Sequence, residues 1–278
     1  MGIFGHNASL GFWLRDQSLD AALIFPRRKG WKLAGRAVAG DGGLLTLPDR
    51  GERLAAAFGA CLKKLPRAAR RADMPASLAL PDVLVDEDVL NFAEFPSART
   101  EARALVEHRM ARELGTAAAD LAVAWEVTGN SVGKVTCRVR AMDRALLADI
   151  EAAASRVGLR LTRIDGWSGF ASGAPELRDY PAGSAVWSDG EDWSLVCWTE
   201  SDPAGFCQQG KVTELAVADI VRLSQSYGRA NGQADLALVI DAPDVLTDAL
   251  KSAAKRARVP VFQFAAGEAR SAQVAAWA

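Results

Sequence analysis

The sequence predicts a two-lobed α/β protein with a small α+β unit set into it. Three observations carry this reading. The apolar pattern of residues 1–88 runs β-β-β-α-β, and residues 165–278 repeat that order and continue α-β. Residues 89–164 have a separate rhythm, β-α-β-β-α-β, the order of a split-βαβ unit. The chain has 278 residues, of which 50% are hydrophobic and 24% charged, enough for two ordinary domains with packed cores.

The elements follow in order. Phe12 to Phe25 reads as two short strands around a turn near Arg15–Ser18, and Trp31 to Val38 as a third strand after the basic turn Pro26–Gly30. Leu54, Ala57, Phe58, Cys61, Leu62 and Leu65 recur at helical spacing, with Asp49 as N-cap and Pro66 as the stop. The basic run Lys63 to Arg71 reads as a solvated helix end. Ser77 to Leu80 is a strand closed by Pro81–Asp82.

In the middle unit, Val89 to Phe92 is a strand and Pro96–Ser97 opens a helix to Leu114, closed by Gly115. Leu121 to Val127 and Lys134 to Met142 are strands, the second alternating Val135, Cys137, Val139 against Thr136, Arg138, Arg140. Asp143 caps a helix to Val157, Gly158 closes it, and Leu159 to Ile164 is a strand.

In the last third, Ala185–Trp187 and Trp193–Trp198 form a hairpin, and Ala204–Gln209 is a third strand. A helix covers Thr213–Tyr227, an apolar strand Leu236–Ile240, a helix Asp244–Ala257 and a final strand Val259–Phe264.

Small counts exclude several functions. Lys plus Arg is 33 and Asp plus Glu is 34, a net charge of −1, so the basic field of a general nucleic-acid binder is missing. The four cysteines, Cys61, Cys137, Cys197 and Cys207, form no CxxC pair, and His6 and His108 are the only histidines, so no metal site is expected. Cys197 and Cys207 are near enough in sequence to meet across a hairpin, but buried free thiols in a reducing cytoplasm are the simpler reading. With two histidines, nucleophilic triads are nearly excluded; His6 reads as a turn residue and His108 as a solvated helix residue. No apolar run has the length of a membrane span, and the first residues lack signal-peptide order. The expected location is cytoplasmic, by recruitment to a membrane or with a span following residue 278. Trp167, Trp187, Trp193 and Trp198 cluster in sequence, as a base-stacking surface would. The acidic neighbours Asp189, Glu191, Asp192, Glu200 and Asp202 oppose a phosphate backbone, and core packing is the expectation.

Two β-β-β-α-β copies side by side are the order of the actin-like, ribonuclease-H-like architecture. Within it the sequence resembles the PilM class of type IV pilus assembly proteins, with the MSHA-pilus MshI proteins and the cytoplasmic domain of the type II secretion protein GspL as relatives. The stretches that carry the resemblance are SLALPDVLV followed by VLNFAEFPS and a charged helix, MDRALLADIEAAASRVGLRLTRID, and DLALVIDAPDVLTDALKSAAKRARVPVFQF.

In the nucleotide-binding members the first hairpin reads roughly G-L-D-I-G-x-x-S-L-K, where Asp acts through magnesium-bound water, Gly lets backbone approach phosphate and Lys contacts it. Aligned on Gly11, Ser18 and Leu19, this chain has Trp13 at the Asp position, Arg15 at the Gly and Asp20 at the Lys. In the second hairpin, VWSDGEDWSL puts Trp187 at the Asp position and Asp189 at the Gly. The adenosine-side strand, which ends in a Gly pair in the family, ends here in Asp241–Ala242–Pro243. An indole cannot organise a magnesium shell, and a carboxylate facing a triphosphate is repelled by about 1 kcal/mol per close pair even in water. The resemblance therefore implies a pseudo-ATPase with no cofactor and a cleft filled by aromatic bulk. A shifted register, with Asp16 and Ser18 or Asp189 and Gly190 as a displaced phosphate turn, is the alternative.

The resemblance also implies partners: the cytoplasmic tail of a PilN-like inner-membrane protein and a hexameric assembly ATPase. The chain would be a non-enzymatic scaffold, peripheral at the inner membrane. In the pilus members the tail lies in a groove between the first subdomain and the insert, which points to Phe92, Phe95, Leu105 and His108. An actin-like ATPase or nucleotide switch and a filament-forming protein are the competing readings.

Overall fold

The computed structural model describes residues 8–27, 31–70, 74–171, 182–188, 192–199, 202–213, 215–232, 237–242, 244–258, 261–263 and 270–277. The first lobe begins β1 (Ser9–Leu14), β2 (Leu19–Pro26), β3 (Trp31–Ala39), α1 (Arg50–Lys64), β4 (Ala76–Leu80). A separate unit follows: β5 (Asp86–Phe92), α2 (Arg99–Leu114), β6 (Leu121–Ser131) and β7 (Lys134–Asp143). The chain then returns to the first lobe with α3 (Arg144–Arg156) and β8 (Leu161–Gly166), and the short helix α4 (Trp167–Ala171) leads out of it. The second lobe contains β9 (Gly183–Ser188), β10 (Asp192–Thr199), β11 (Asp202–Lys211), α5 (Ala216–Ala230), β12 (Ala237–Asp241), α6 (Asp244–Ala257) and β13 (Val261–Gln263). The last helix is α7 (Arg270–Trp277).

The two large sheets have one topology. Their strand orders are β3-β2-β1-β4-β8 and β11-β10-β9-β12-β13, and the inserted sheet is β5-β7-β6. In each large sheet the leading hairpin is antiparallel and its first strand pairs in parallel with the strand after the helix, Gly11 opposite Ser77 and Val186 opposite Ile240. Each lobe is thus βββαβαβ, and the insert interrupts the first between β4 and α3.

This corrects the boundaries read from the sequence. The expected insert, 89–164, loses its last helix and strand to the first lobe. Ile150, Ala153 and Ala154 of α3 are buried in the first-lobe core with Leu54 and Phe58 of α1, and Arg50 pairs with Asp149 at 2.7 Å. β8 pairs in parallel with β4, Leu78 opposite Ile164. Element order cannot show which sheet a strand joins; the apolar face of α3 decides it, since Ile150, Ala153 and Ala154 are buried with α1 and the first sheet.

The first-lobe core lies on the helix side of the sheet. Leu10, Phe12 and Leu14 point there, and Phe12 meets Phe58 edge-on with ring centroids 5.1 Å apart. The opposite face of β1 and β2 is covered by α7, whose Ala275 is buried against Ala22 and Ile24. The expected second lobe, 165–278, therefore ends on the first: α7 crosses back. Local signals act as expected at two helix ends. Asp143 accepts from the Leu146 N–H at 2.7 Å as the cap of α3, and Gly115 closes α2 at φ +65°, where a side chain would be strained. Asp49 stands at the N-cap of α1 as expected, but its carboxylate makes no capping hydrogen bond and is held instead by Arg53 one turn on, at 3.0 Å.

Candidate functional site

Among the described residues, two concave features lie where separate units meet, a cleft between the lobes and a groove beneath the insert, while a third, of ≈ 640 Å³, lies within the first lobe over β3 and α1. The cleft is built where β1 and β9, the central strands of the two large sheets, end side by side. Trp13 is the penultimate residue of β1 and Trp187 the penultimate residue of β9. Alternation along β1 sends Phe12 into the first-lobe core and Trp13 toward the second lobe. Trp13, Trp187, Trp167 and Phe170 are buried in one cluster with Val196 and Val239. Trp13 and Trp167 pack edge-on, 5.5 Å between centroids at 65°. The cavity left beside the three indoles, rimmed by Asp82, Ser188, Asp192 and Ser194, measures ≈ 20 Å³. That is the room of about one water, against roughly 300–1,000 Å³ for a pocket holding a small ligand.

The carboxylates around this cleft are engaged within the protein. Asp82 accepts from the Ser168 N–H at 2.8 Å and hydroxyl at 2.9 Å, and Asp192 pairs with Lys211 at 2.8 Å. Asp20, expected to face a phosphate, is buried and receives the Arg36 guanidinium from β3, so its charge is matched locally. Arg15 is exposed and donates to the Ser18 hydroxyl at 3.1 Å. Asp16, the candidate for a displaced phosphate turn, instead accepts from the Leu45 N–H at 2.9 Å and from the Thr46 N–H and hydroxyl at 3.1 Å. Partial burial pulls the Asp16 pKa up, but these hydrogen bonds outweigh it and the net shift is downward. The structure thus brings Trp13 and Trp187 together and leaves Arg15 and Asp20 with partners of their own. Asp189 and Gly190 lie outside the described residues. Trp167, which sequence reasoning placed only in a general core, is the third member of the cluster. Its signal was the Asp165–Gly166–Trp167 end of a strand, an end that takes on meaning only once β8 joins the first sheet.

The groove has a different character. β6 is an edge of the inserted sheet and β8 an edge of the first-lobe sheet. Between them is a groove of ≈ 360 Å³ walled by Ala122 and Ala124 of β6, Met142 of β7, Leu147 of α3 and Ile164 of β8. At its base lies an ion-pair chain. Arg140 bonds Glu87 at 2.9 Å and Asp165 at 3.1 Å, and Arg163 meets Asp165 at 3.0 Å. Asp165 is 6% exposed, and burial raises its pKa even against the two arginines. Gly169 makes room for that carboxylate, since a Cβ there would stand 2.4 Å from it. Arg163 also stacks on the Phe170 ring at 4.0 Å, so α4 touches both groove and cleft.

The residues expected to dock a partner are not on this groove. Phe92 is buried, Phe95 packs against it with centroids 5.3 Å apart, and Leu105 is half-buried in the same insert core beneath α2. His108 is exposed on α2. Phe92 is a core position because β5 alternates, sending Leu90 and Phe92 toward α2 and Glu87 toward the groove side. The lining that sequence reasoning missed, Ala122, Ala124 and Met142, was present in the alternation of the two strands, but small and apolar residues carry no signal of their own.

Among the described residues no group of three His, Cys, Asp or Glu is placed to hold a metal ion, and no helix is long and apolar enough to cross a membrane. Cys61, Cys137 and Cys197 are buried free thiols, and burial pushes Cys61 and Cys197 up to about 12.

No family model matches the chain, and no curated protein matches it. Solved structures do. The chain is similar to the PilM-PilN type IV pilus biogenesis complex at 13% identity, TM-score 0.68, covering 92% of this chain and 88% of that one. It is similar to the cytoplasmic domain of EpsL, an inner membrane component of the type II secretion system of Vibrio cholerae, at 10% identity, TM-score 0.58, covering 96% and 92%. A Bacteroides thetaiotaomicron protein with an actin-like ATPase fold and unknown function matches at 8% identity, TM-score 0.60, covering 99% and 98%. The chain has the actin-like ATPase fold, as the paired β-β-β-α-β order predicts.

Proposed function

We propose that this chain is a non-enzymatic scaffold of a type IV pilus or type II secretion assembly platform. It takes the cytoplasmic tail of a PilN-like inner-membrane protein in the groove between β6 and β8, and it engages an assembly ATPase through a separate surface. Both systems appear among its structural neighbours, one of them as a complex with PilN. The observation that carries the reading is the groove itself: ≈ 360 Å³, apolar on its walls and flanked by two sheet edges. A sheet edge offers unpaired backbone N–H and C=O groups to an extended peptide, while pockets between alternate side chains supply selectivity. A disordered tail is ordered on binding, so the affinity is modest.

The cleft enters this reading as a pseudo-ATPase site. In the register read from the sequence, Trp13 and Trp187 take the positions of the magnesium-organising carboxylates of nucleotide-binding pilus proteins; the room beside them, that of a water molecule, supports this reading. Bulk matters here more than charge, because Asp20 is neutralised by Arg36.

The test is calorimetry on the intact chain with a synthetic tail peptide of the PilN-like protein and, separately, with ATP and magnesium. The tail binds, Ala124→Arg weakens it by at least about tenfold by crowding an exposed groove wall, and ATP gives no heat. Unchanged tail binding by the variant removes the groove from the reading. Micromolar binding of ATP removes the pseudo-ATPase.

A further inference from the structure

We infer that the tryptophan cluster of the cleft is a clasp that holds the two lobes in one relative orientation with no ligand between them. The inference does not depend on which partner the groove takes. Trp13 comes from β1, and Trp167 and Phe170 come from α4, on the first-lobe side. Trp187, Val196 and Val239 come from β9, β10 and β12 of the second lobe. All six are at most 5% exposed, so neither lobe's share of the cluster is closed without the other's.

A two-lobed protein that closes on a ligand draws on the ligand's contacts to hold the closed state. Here the chain supplies that contact. Large aromatic side chains bury about 150–250 Å² each, and opening the lobes would return three indole rings to water. The Trp187 N–H supports the same assignment. It is buried without a hydrogen-bond partner among the described residues, whereas the Trp193 N–H in the same lobe donates to the Lys211 carbonyl at 3.0 Å. An indole kept buried despite an unpaired donor is held there by its apolar bulk. The second tie is α7, which leaves the second lobe and packs Ala275 on Ala22 and Ile24 of the first, while its Val274 enters the cleft cluster. Cluster and helix are thus two packed ties between the lobes.

Hydrogen exchange on the intact chain tests the clasp, because a clasp and an ordinary core residue differ in where loosening appears. Trp187→Ala is expected to raise exchange at least about tenfold in β1 and β4 of the opposite lobe, with the circular dichroism spectrum retained. Added indole, which fits the space vacated, is expected to restore the slow exchange. Loosening confined to β9, β10 and β12 overturns the inference and leaves Trp187 a core residue of its own lobe. If the alanine variant does not fold, Trp187→Phe and Trp13→Phe serve: each is expected to raise exchange in the lobe opposite the substitution, and a rise restricted to its own lobe overturns the clasp. Slowing of exchange in β1 and β4 of the unaltered chain by magnesium and ATP also overturns it, since a clasp already closed has nothing left to gain from a nucleotide.

Discussion

The two lobes share one strand order and one element order, yet only the first is interrupted. Between β4 and α3 the chain leaves to build a three-stranded sheet and a helix; at the equivalent point of the second lobe, β12 ends at Asp241 and α6 begins at Asp244. The difference teaches where this fold accepts new structure. The connection after β4 lies at the C-terminal end of a parallel strand, beside the cleft, where an added unit meets an existing sheet edge without disturbing the packed faces. The cleft is thus made by both lobes, and the groove only by the lobe that carries the insert.

The sharpest way to break this comparison is to cut the insert out. Replacing residues 86–142 with a short Gly-Ser linker is expected to leave a cooperatively folded two-lobed protein. Removing 89–158 is expected to abolish folding of the first lobe, because it takes Leu146, Ile150, Ala153 and Ala154 out of that core. Circular dichroism and thermal melting distinguish the two, and a cooperative melt for the longer deletion would return α3 to the insert.

A smaller effect sharpens the equivalence of α3 and α6. Ile150 and Leu250 are each 0% exposed, facing the helix-side core of their own lobes. Truncating either to alanine is expected to cost about 2–5 kcal/mol, with the two values close to one another. Urea unfolding measures both, and a negligible loss at Ile150 beside a large loss at Leu250 would show α3 to be peripheral.

The smallest effect concerns the tip of the first hairpin, tied by Asp16 to residues 45 and 46. Its folded pKa lies below the ordinary 3.8, so its stabilisation is present above that value and is lost as pH falls through the folded pKa. Asp16→Ala is expected to cost about 1 kcal/mol near neutral pH. The gap from the unaltered chain should shrink as the solution is acidified well below 3.8. Urea titrations at the two extremes check the sign, and a gap that widens in acid would mean that the protonated carboxyl holds the loop better.

Most of the fold was legible in the sequence because local signals and burial agree along it. Short, nearly continuous apolar runs in Leu10–Leu14 and Leu19–Ile24, helical spacing in Leu54–Leu62, the Asp143 cap and the Gly115 stop each specify an element by chemistry within a few residues. The repeated order of those elements was enough to predict two like lobes, and the presence of Trp13 and Trp187 at matched places in the two leading hairpins was visible there as well.

What only the tertiary structure decided is which surfaces meet. A helix such as α3 carries an apolar face whatever sheet it covers, so its membership of the first lobe depends on α1 being there to receive Ile150. The destination of α7, Arg270–Trp277, is of the same kind: short and rich in alanine, it has no strong pattern, and its place on β1 and β2 is set by the small side chains Ala22 and Ala275 that let it approach. Phe92 and Phe95 are pointed to by the groove of the resembled pilus proteins, but aromatic side chains suit a core as well as an interface, and here they pack with α2 into the insert core. The groove, in turn, is lined by alanines, a methionine and paired charges that read as unremarkable strand residues until β6 and β8 are placed side by side. Local sequence sets the state of each segment through short-range sterics and hydrogen bonds; the identity of its neighbour is a matter of long-range burial, and it is burial that places both the cleft and the groove.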